Sequence, residues 1–274
     1  MFALASWTWA LTVKELGVRE ILLFSKQIGL TDILVLTKSI SGLTFIDVLN
    51  EIVLNNSYGI RIHAWIVCFE DHRYSDGEVS PSNEKYRSYL LSLITRILEK
   101  VDVEGIHLDY IRYKGKAFEK WRNVSSFVRE VRKIIDKKDP NIILSIASKA
   151  ERYNTLDELK KSALYYGQNY EDLAKYVDIF MPMTYYLDYK VEPEAPVRAS
   201  KWIKEITRRK VYVGVQLHPS EHPETKGRQP NLSEIEKQLV LSKEQGLDGV
   251  CFFRFKYLYE RSRELKDIIS KISS

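Results

Sequence analysis

Eight short apolar runs recur along the chain, each separated from the next by a longer stretch of helical periodicity, and this alternation constrains the fold more than any other feature. The runs are FALASWTW, DILVLTK, RIHAWIVCF, GIHLDYIRY, NIILSIASK, DIFMPMTYY, KVYVGVQLH and GVCFFRF. Between them, segments such as Ser82 to Lys100, Ala117 to Lys137 and Leu232 to Gln245 place apolar residues at three- and four-residue intervals, the signature of an amphipathic helix. Pro81 near the start of one and Gly246 just after another are start and stop signals of the expected kind. Strict strand-helix alternation implies a parallel sheet covered by helices. Eight repeats in 274 residues suit a closed (β/α)8 barrel, which typically takes about 250 residues, better than an open doubly wound sheet. The chain is therefore read as one barrel domain over residues 1–274. The shortest crossover, Lys38 to Gly59, still has room for a helix of about three turns.

Charge narrows the class of partner. Lys plus Arg number 42 against 37 Asp plus Glu, and the basic residues are spread out, with only short clusters such as Lys137-Lys138 and Arg208-Arg209-Lys210. A solvated surface explains that pattern better than a nucleic-acid groove. The N-terminal stretch MFALASWTWALTVKELG lacks a basic leader region, and no segment has the eighteen or so apolar residues of a membrane span. The expectation is a cytoplasmic protein that engages neither nucleic acid nor membrane. Cys68 and Cys251 both lie in apolar runs and read as small buried residues rather than a disulfide or metal cluster.

In a barrel of this kind, active sites collect at the C-terminal ends of the strands. Here those ends are unusually polar and aromatic: Trp7, Trp9, Lys38, Glu70, Asp71, Asp109, Arg112, Lys149, Glu151, Tyr185, Tyr186, Gln216, His218 and Arg254. In GIHLDY, alternation turns Ile106 and Leu108 toward the helices and Gly105, His107 and Asp109 into the barrel. A carboxylate inside a barrel is costly unless paired or used. Position alone gives equal weight to a catalytic role and to an ion pair with Arg112 or a helix cap. The same alternation turns His63 and Trp65 of the third run inward, together with Gln216 and His218 of the seventh. His63, His107 and His218 are not spaced as metal ligands, so no metal and no other cofactor is expected, and a metal-dependent hydrolase is the weaker reading. Isolated histidines suit hydrogen bonds to a polar substrate, or the orientation of Asp109 through His107; for His63 the plain alternative is a satisfied core residue. The strand-end rings Trp7, Trp65, Tyr185 and Tyr186 suit the apolar faces of sugars. A nucleophile elbow, a P-loop and a dinucleotide fingerprint are all absent from the sequence.

Several stretches carry a family likeness. GIRIHAWIVCF and SPSNEKYRSYLLSLITRILEKVDVEGIHLDYIRY resemble segments of the glycosyl-hydrolase-like 10 proteins, and the resemblance continues through YVDIFMPMTYY and GVQLHPSE to KEQGLDGVCFF, covering roughly residues 59 to 253. It implies a barrel glycoside hydrolase acting on a poly- or oligosaccharide, with Asp109 as a catalytic carboxylate and His63, Trp65, His107, Arg112 and Tyr185 lining the site. Two positions depart from the family pattern: Lys114 stands where proline is common, and Arg254 where a small polar residue is usual.

Glycosidic hydrolysis normally takes two carboxylates. Glu70, Asp71, Glu151, Asp188 and Glu221 are the candidates for the second. Glu151 is preferred because its strand neighbours the fourth. The remaining site residues, Trp7, Tyr186, Gln216, His218 and Arg254, are expected to contact the carbohydrate. A second reading, a barrel that binds glycans without cleaving them, draws on the lack of an unmistakable second carboxylate motif.

Overall fold

The computed structural model describes residues 2–74, 77–149 and 154–273. All eight apolar runs form strands: β1 (Ala3–Thr8), β2 (Asp32–Lys38), β3 (Arg61–Val67), β4 (Gly105–Asp109), β5 (Ile143–Lys149), β6 (Ile179–Met183), β7 (Lys210–Gln216) and β8 (Gly249–Phe253). Each pairs in parallel with the next, and β1 pairs with β8, closing the (β/α)8 barrel. The short crossover carries a helix at Ile46–Asn55. The three helices read from periodicity lie at Glu84–Lys100, Trp121–Lys138 and Leu232–Glu244. The first begins two residues later than the pattern suggests because Asn83 caps it, its side chain accepting from the Tyr86 N–H. Asn231 and Glu234 form a reciprocal capping box on the last. Among the described residues no helix is long and apolar enough to cross a membrane.

Strand alternation divides the core in two. Outward residues such as Ile106, Leu108, Ile62, Ile66 and Val213 join the large cluster beneath the helices. Inward residues, among them Ala5, Trp7, Leu34, Trp65, Met181 and Cys251, fill the barrel interior, as a closed barrel of eight strands requires. Cys68 and Cys251 are buried free thiols.

The N-terminal end of the barrel is sealed by charge. Asp32 is fully buried and receives two 2.7 Å bonds from Arg61 and a 2.8 Å contact from His63 Nε2. Burial pushes its carboxyl up, but the His63 and Arg61 bonds outweigh that and hold it well below the usual carboxylate range. Gly105 of β4 is required here, because a Cβ would sit 1.9 Å from His63 Nδ1.

Candidate active site at the C-terminal mouth

Asp109 ends β4 with its backbone opposite Val67, while Trp65 stands one inward position lower opposite His107. This register lets the Trp65 indole N–H donate to Asp109 Oδ2 at 3.1 Å. The chain then turns through Tyr110, whose φ of 51° is the left-handed conformation that side chains adopt at a cost of about 1–2 kcal/mol. The turn aims the Tyr110 N–H back at Asp109 Oδ1, 2.7 Å away. The carboxylate is thus gripped on both oxygens, and at 4% exposure it is nearly dry. Burial drives its carboxyl above the ordinary carboxylate range, against the opposing pull of Arg112, the Tyr110 N–H and Trp65, while the negative charge of Glu70 adds to the rise. Arg112 is itself held by its neighbour, its guanidinium carbon 4.1 Å from the Tyr110 ring centroid. The Tyr110 phenol is pushed up to about 12 by burial and by Asp109.

Beside Asp109 lies an aromatic platform that joins the expected rings of Tyr185, Trp7 and Trp65 to one that sequence reasoning missed, Phe253. Phe253, the half-buried last residue of β8, stacks on Tyr185 at 5.3 Å and 27°. Trp7, Trp65 and His218 meet it edge-on at 5.8, 6.4 and 5.2 Å. The phenol of Tyr185 is raised well above its ordinary value by burial first and by the charge of Asp109 second, which places the platform within electrostatic reach of the carboxylate. Phe253 was passed over because an apolar residue in an apolar run carries no signal of function; only its position as the last inward residue of a strand sets it apart.

Several expected contacts are corrected. His63 lies at the opposite end of the barrel, bound to Asp32, and is the satisfied core residue of the plain reading. His107 is fully buried: its Nε2 accepts from Trp7 Nε1 at 3.0 Å, so its Nδ1–H faces Ser145 Oγ at 2.9 Å. With both ring nitrogens engaged, it neither reaches a substrate nor orients Asp109, and burial keeps the imidazole neutral by holding its pKa well below the usual value. Trp7, its partner, is a core residue for the same reason. Tyr186 points away from the mouth and donates to Glu234 at 2.6 Å, so of the two tyrosines only Tyr185 faces Asp109. Gln216 is buried, accepting the Leu187 N–H and leaning on His218. His218 in turn holds Asp188 at 3.1 Å, and Asp188 accepts from Ser220 and the Glu221 N–H. These residues brace the loop after β6 rather than line a cleft. The three histidines therefore sit with different partners, and no group of His, Cys, Asp and Glu able to hold a metal occurs among the described residues.

Arg254 lies at the rim, its guanidinium carbon 3.3 Å from the ring centroid of Trp9. Among the candidates for a second carboxylate, Glu151 lies outside the described residues. Asp71 is fully engaged by Arg73, Tyr86 and the buried Lys38, which together tie the loop after β2 to the loop after β3. Asp188 is engaged as above. Glu221 and Glu70 remain: Glu221 is exposed, with only its backbone N–H turned to Asp188, and Glu70, 3.5 Å from His72 Nε2, lines a groove of about 110 Å³ with Tyr110, Arg112 and Glu78.

Among solved structures, the glycoside hydrolase domain of PgaB (BpsB) from Bordetella bronchiseptica superposes with a TM-score of 0.77 at 10% identity, over 98% of this chain and 99% of that one. A plant class V chitinase mutant from Cycas revoluta, solved with (GlcNAc)3, gives 0.70 at 12% over 99% and 100%. The family 18 N-acetylglucosaminidase of Paenibacillus barengoltzii gives 0.66 at 12% over 99% of each. At such identities the likeness establishes the fold. No curated protein matches the chain. Residues 64–256 match Glycosyl hydrolases family 18, a span that runs from β3 past β8 and takes in Asp109, Tyr185 and Phe253. The matched family is thus family 18, not the glycosyl-hydrolase-like 10 group that the fourth-strand stretch resembles. More than half of the chain lies within that match: it belongs to glycosyl hydrolases family 18 and is a glycosidase acting on O-glycosyl bonds.

Proposed function

We propose that the chain cleaves a glycan containing N-acetylhexosamine, with Asp109 as the general acid and base. The observation that carries this reading is the environment of Asp109: a dry carboxyl whose protonated form is favoured by burial, at the strand end where barrel enzymes do their chemistry. The family 18 match, which takes in the fourth strand and Asp109, supports the same residue. Family 18 enzymes are among the glycosidases in which the substrate itself assists, so a second protein carboxylate is not needed. In that scheme the Asp109 proton passes to the glycosidic oxygen as its bond to the anomeric carbon breaks. The acetamido oxygen of the same sugar closes on that carbon. Water then opens the ring, giving up a proton to the Asp109 carboxylate, which is restored to its acid form. Phe253, stacked on Tyr185, offers the flat apolar face on which the sugar ring rests. The similar chitinases solved in complex with (GlcNAc)3 and (GlcNAc)4 support an N-acetylated substrate.

The test is reducing-end release from chitotetraose and from cellotetraose, which differ in the N-acetyl group. Turnover of the first alone, abolished in Asp109→Asn, is expected. Equal turnover of both would sink the substrate-assisted scheme, and activity retained in Asp109→Asn would sink the assignment of Asp109.

A further inference from the structure

We infer that the N-terminal face of the barrel, the end remote from Asp109, carries a second binding site for a small phosphorylated molecule. A cavity of about 670 Å³ opens there, lined by the start of β1, the loops that lead into β2 and β3, and the start of β7. Its size falls within the roughly 300–1,000 Å³ typical of small-molecule sites.

The charge on its wall is unbalanced once internal pairs are made. Three basic residues, Lys26, Arg61 and Lys210, line it with one carboxylate, Asp248. Arg61 is committed to Asp32 through two 2.7 Å bonds. Asp248 is committed to Lys204 at 2.9 Å and accepts the Val211 N–H at 3.0 Å. Lys26 and Lys210 have no carboxylate partner among the described residues, so two ammonium groups remain on one concave surface. A concave wall focuses their joint field on an anion beyond what an open surface provides. The seal at this end of the barrel, Asp32 with Arg61 and His63, needs neither lysine, although Lys26, in the last turn of the helix Val18–Ile28, also offsets that helix's dipole.

The wall is also open where a ligand would lie. Gly29 and Gly59 line the cavity in left-handed turns, at φ of 79° and 69°, and a Cβ on either would meet nothing within 4 Å. Tyr58, 37% exposed, lines the same cavity. Two lysines and a tyrosine lining one cavity match a phosphoryl group carried on a small body with an apolar face, such as a sugar phosphate.

The experiment is calorimetric titration of the intact protein with glucose 6-phosphate and with glucose at constant ionic strength. Saturable binding of the phosphate ester with Kd of about 1 mM or tighter is expected, and none of glucose. The double variant Lys26→Met/Lys210→Met loses about tenfold or more in affinity, whereas Lys133→Met/Lys137→Met, with the same loss of net charge on a distant helix, binds as before. Both lysines are exposed, and should the double variant fail to fold, Lys210→Met alone must still weaken binding. Absence of saturation up to about 10 mM, or equal weakening by the two double variants, overturns the site.

Discussion

Replacing Trp65 by Phe tests the acid role of Asp109 without touching the carboxyl itself. The indole N–H bond to Oδ2, 3.1 Å long, is worth more to the ionised carboxylate than to the protonated acid. Hydrogen bonds to charged groups contribute about 1.5–3 kcal/mol and neutral ones about 0.5–1.5, so the difference is roughly 1–1.5 kcal/mol. At about 1.4 kcal/mol per unit, losing the donor raises the Asp109 pKa by about one further unit. The sign follows from the role. An acid must be protonated in the free enzyme, and its titration sets the alkaline limb of kcat/KM against pH; that limb is expected to move up by about one unit in Trp65→Phe. An ionised nucleophile would instead set the acid limb, and that limb would move up. The assay is kcat/KM for chitotetraose across pH, with thermal unfolding to confirm the fold. Displacement of the acid limb alone refutes the acid assignment while keeping Asp109 in the site. If neither limb moves in a folded variant, the Trp65 bond does not tune a catalytic group and the argument from Asp109's environment fails.

Two further outcomes rest on the same geometry. Phe253→Ala removes the platform that Tyr185, Trp7, Trp65 and His218 surround and is expected to raise KM for chitotetraose about three- to tenfold, matching the roughly 0.5–1.5 kcal/mol of an aromatic contact; an unchanged KM would remove Phe253 from the sugar site. Asp32→Ala leaves Arg61 and His63 facing an empty place and is expected to cost about 3–5 kcal/mol in urea unfolding with little effect on the chemistry at the far end, whereas a cost under about 1 kcal/mol would show that the charge seal is dispensable.

The fold was legible because its signal is local and repeated. Each strand is a short apolar run, each crossover has a helical period, and the count of eight closes the barrel. Alternation also identified faces correctly: Ile106 and Leu108 are under the helices, and Trp65 is inside. What alternation cannot give is height along the barrel axis. Height depends on the stagger between neighbouring strands, and that stagger is a property of the closed sheet rather than of any one strand. His63 faces inward as expected, yet it pairs in register with Gly105 and sits at the floor, where it meets Asp32. Trp65, two residues on, is level with His107 and so is high enough to reach Asp109. Where a strand ends also matters by a single residue. Tyr185 turns to Phe253 while Tyr186 turns to Glu234, and Phe253 forms the platform while Arg254 stacks on Trp9 at the rim.

Two inward aspartates make the distinction between structural and catalytic carboxylates concrete. Asp32 and Asp109 are both buried, both on barrel strands and both hydrogen-bonded. Asp32 begins its strand, and its partners are a guanidinium held by two bonds, an imidazole and the Thr31 hydroxyl at 2.6 Å. The guanidinium supplies positive charge directly, and the carboxylate stays ionised. Asp109 ends its strand, and among the described residues its hydrogen-bond donors are neutral, an indole and a backbone N–H. Arg112 acts on it only through space, and burial prevails. The two groups are thus driven in opposite directions by their surroundings, the pattern that separates a resident ion pair from a candidate for proton transfer. An inward carboxylate in a barrel becomes a candidate for chemistry when the fold grips its oxygens yet leaves its charge without a bonded cation, and that condition is met here at the C-terminal mouth by Asp109.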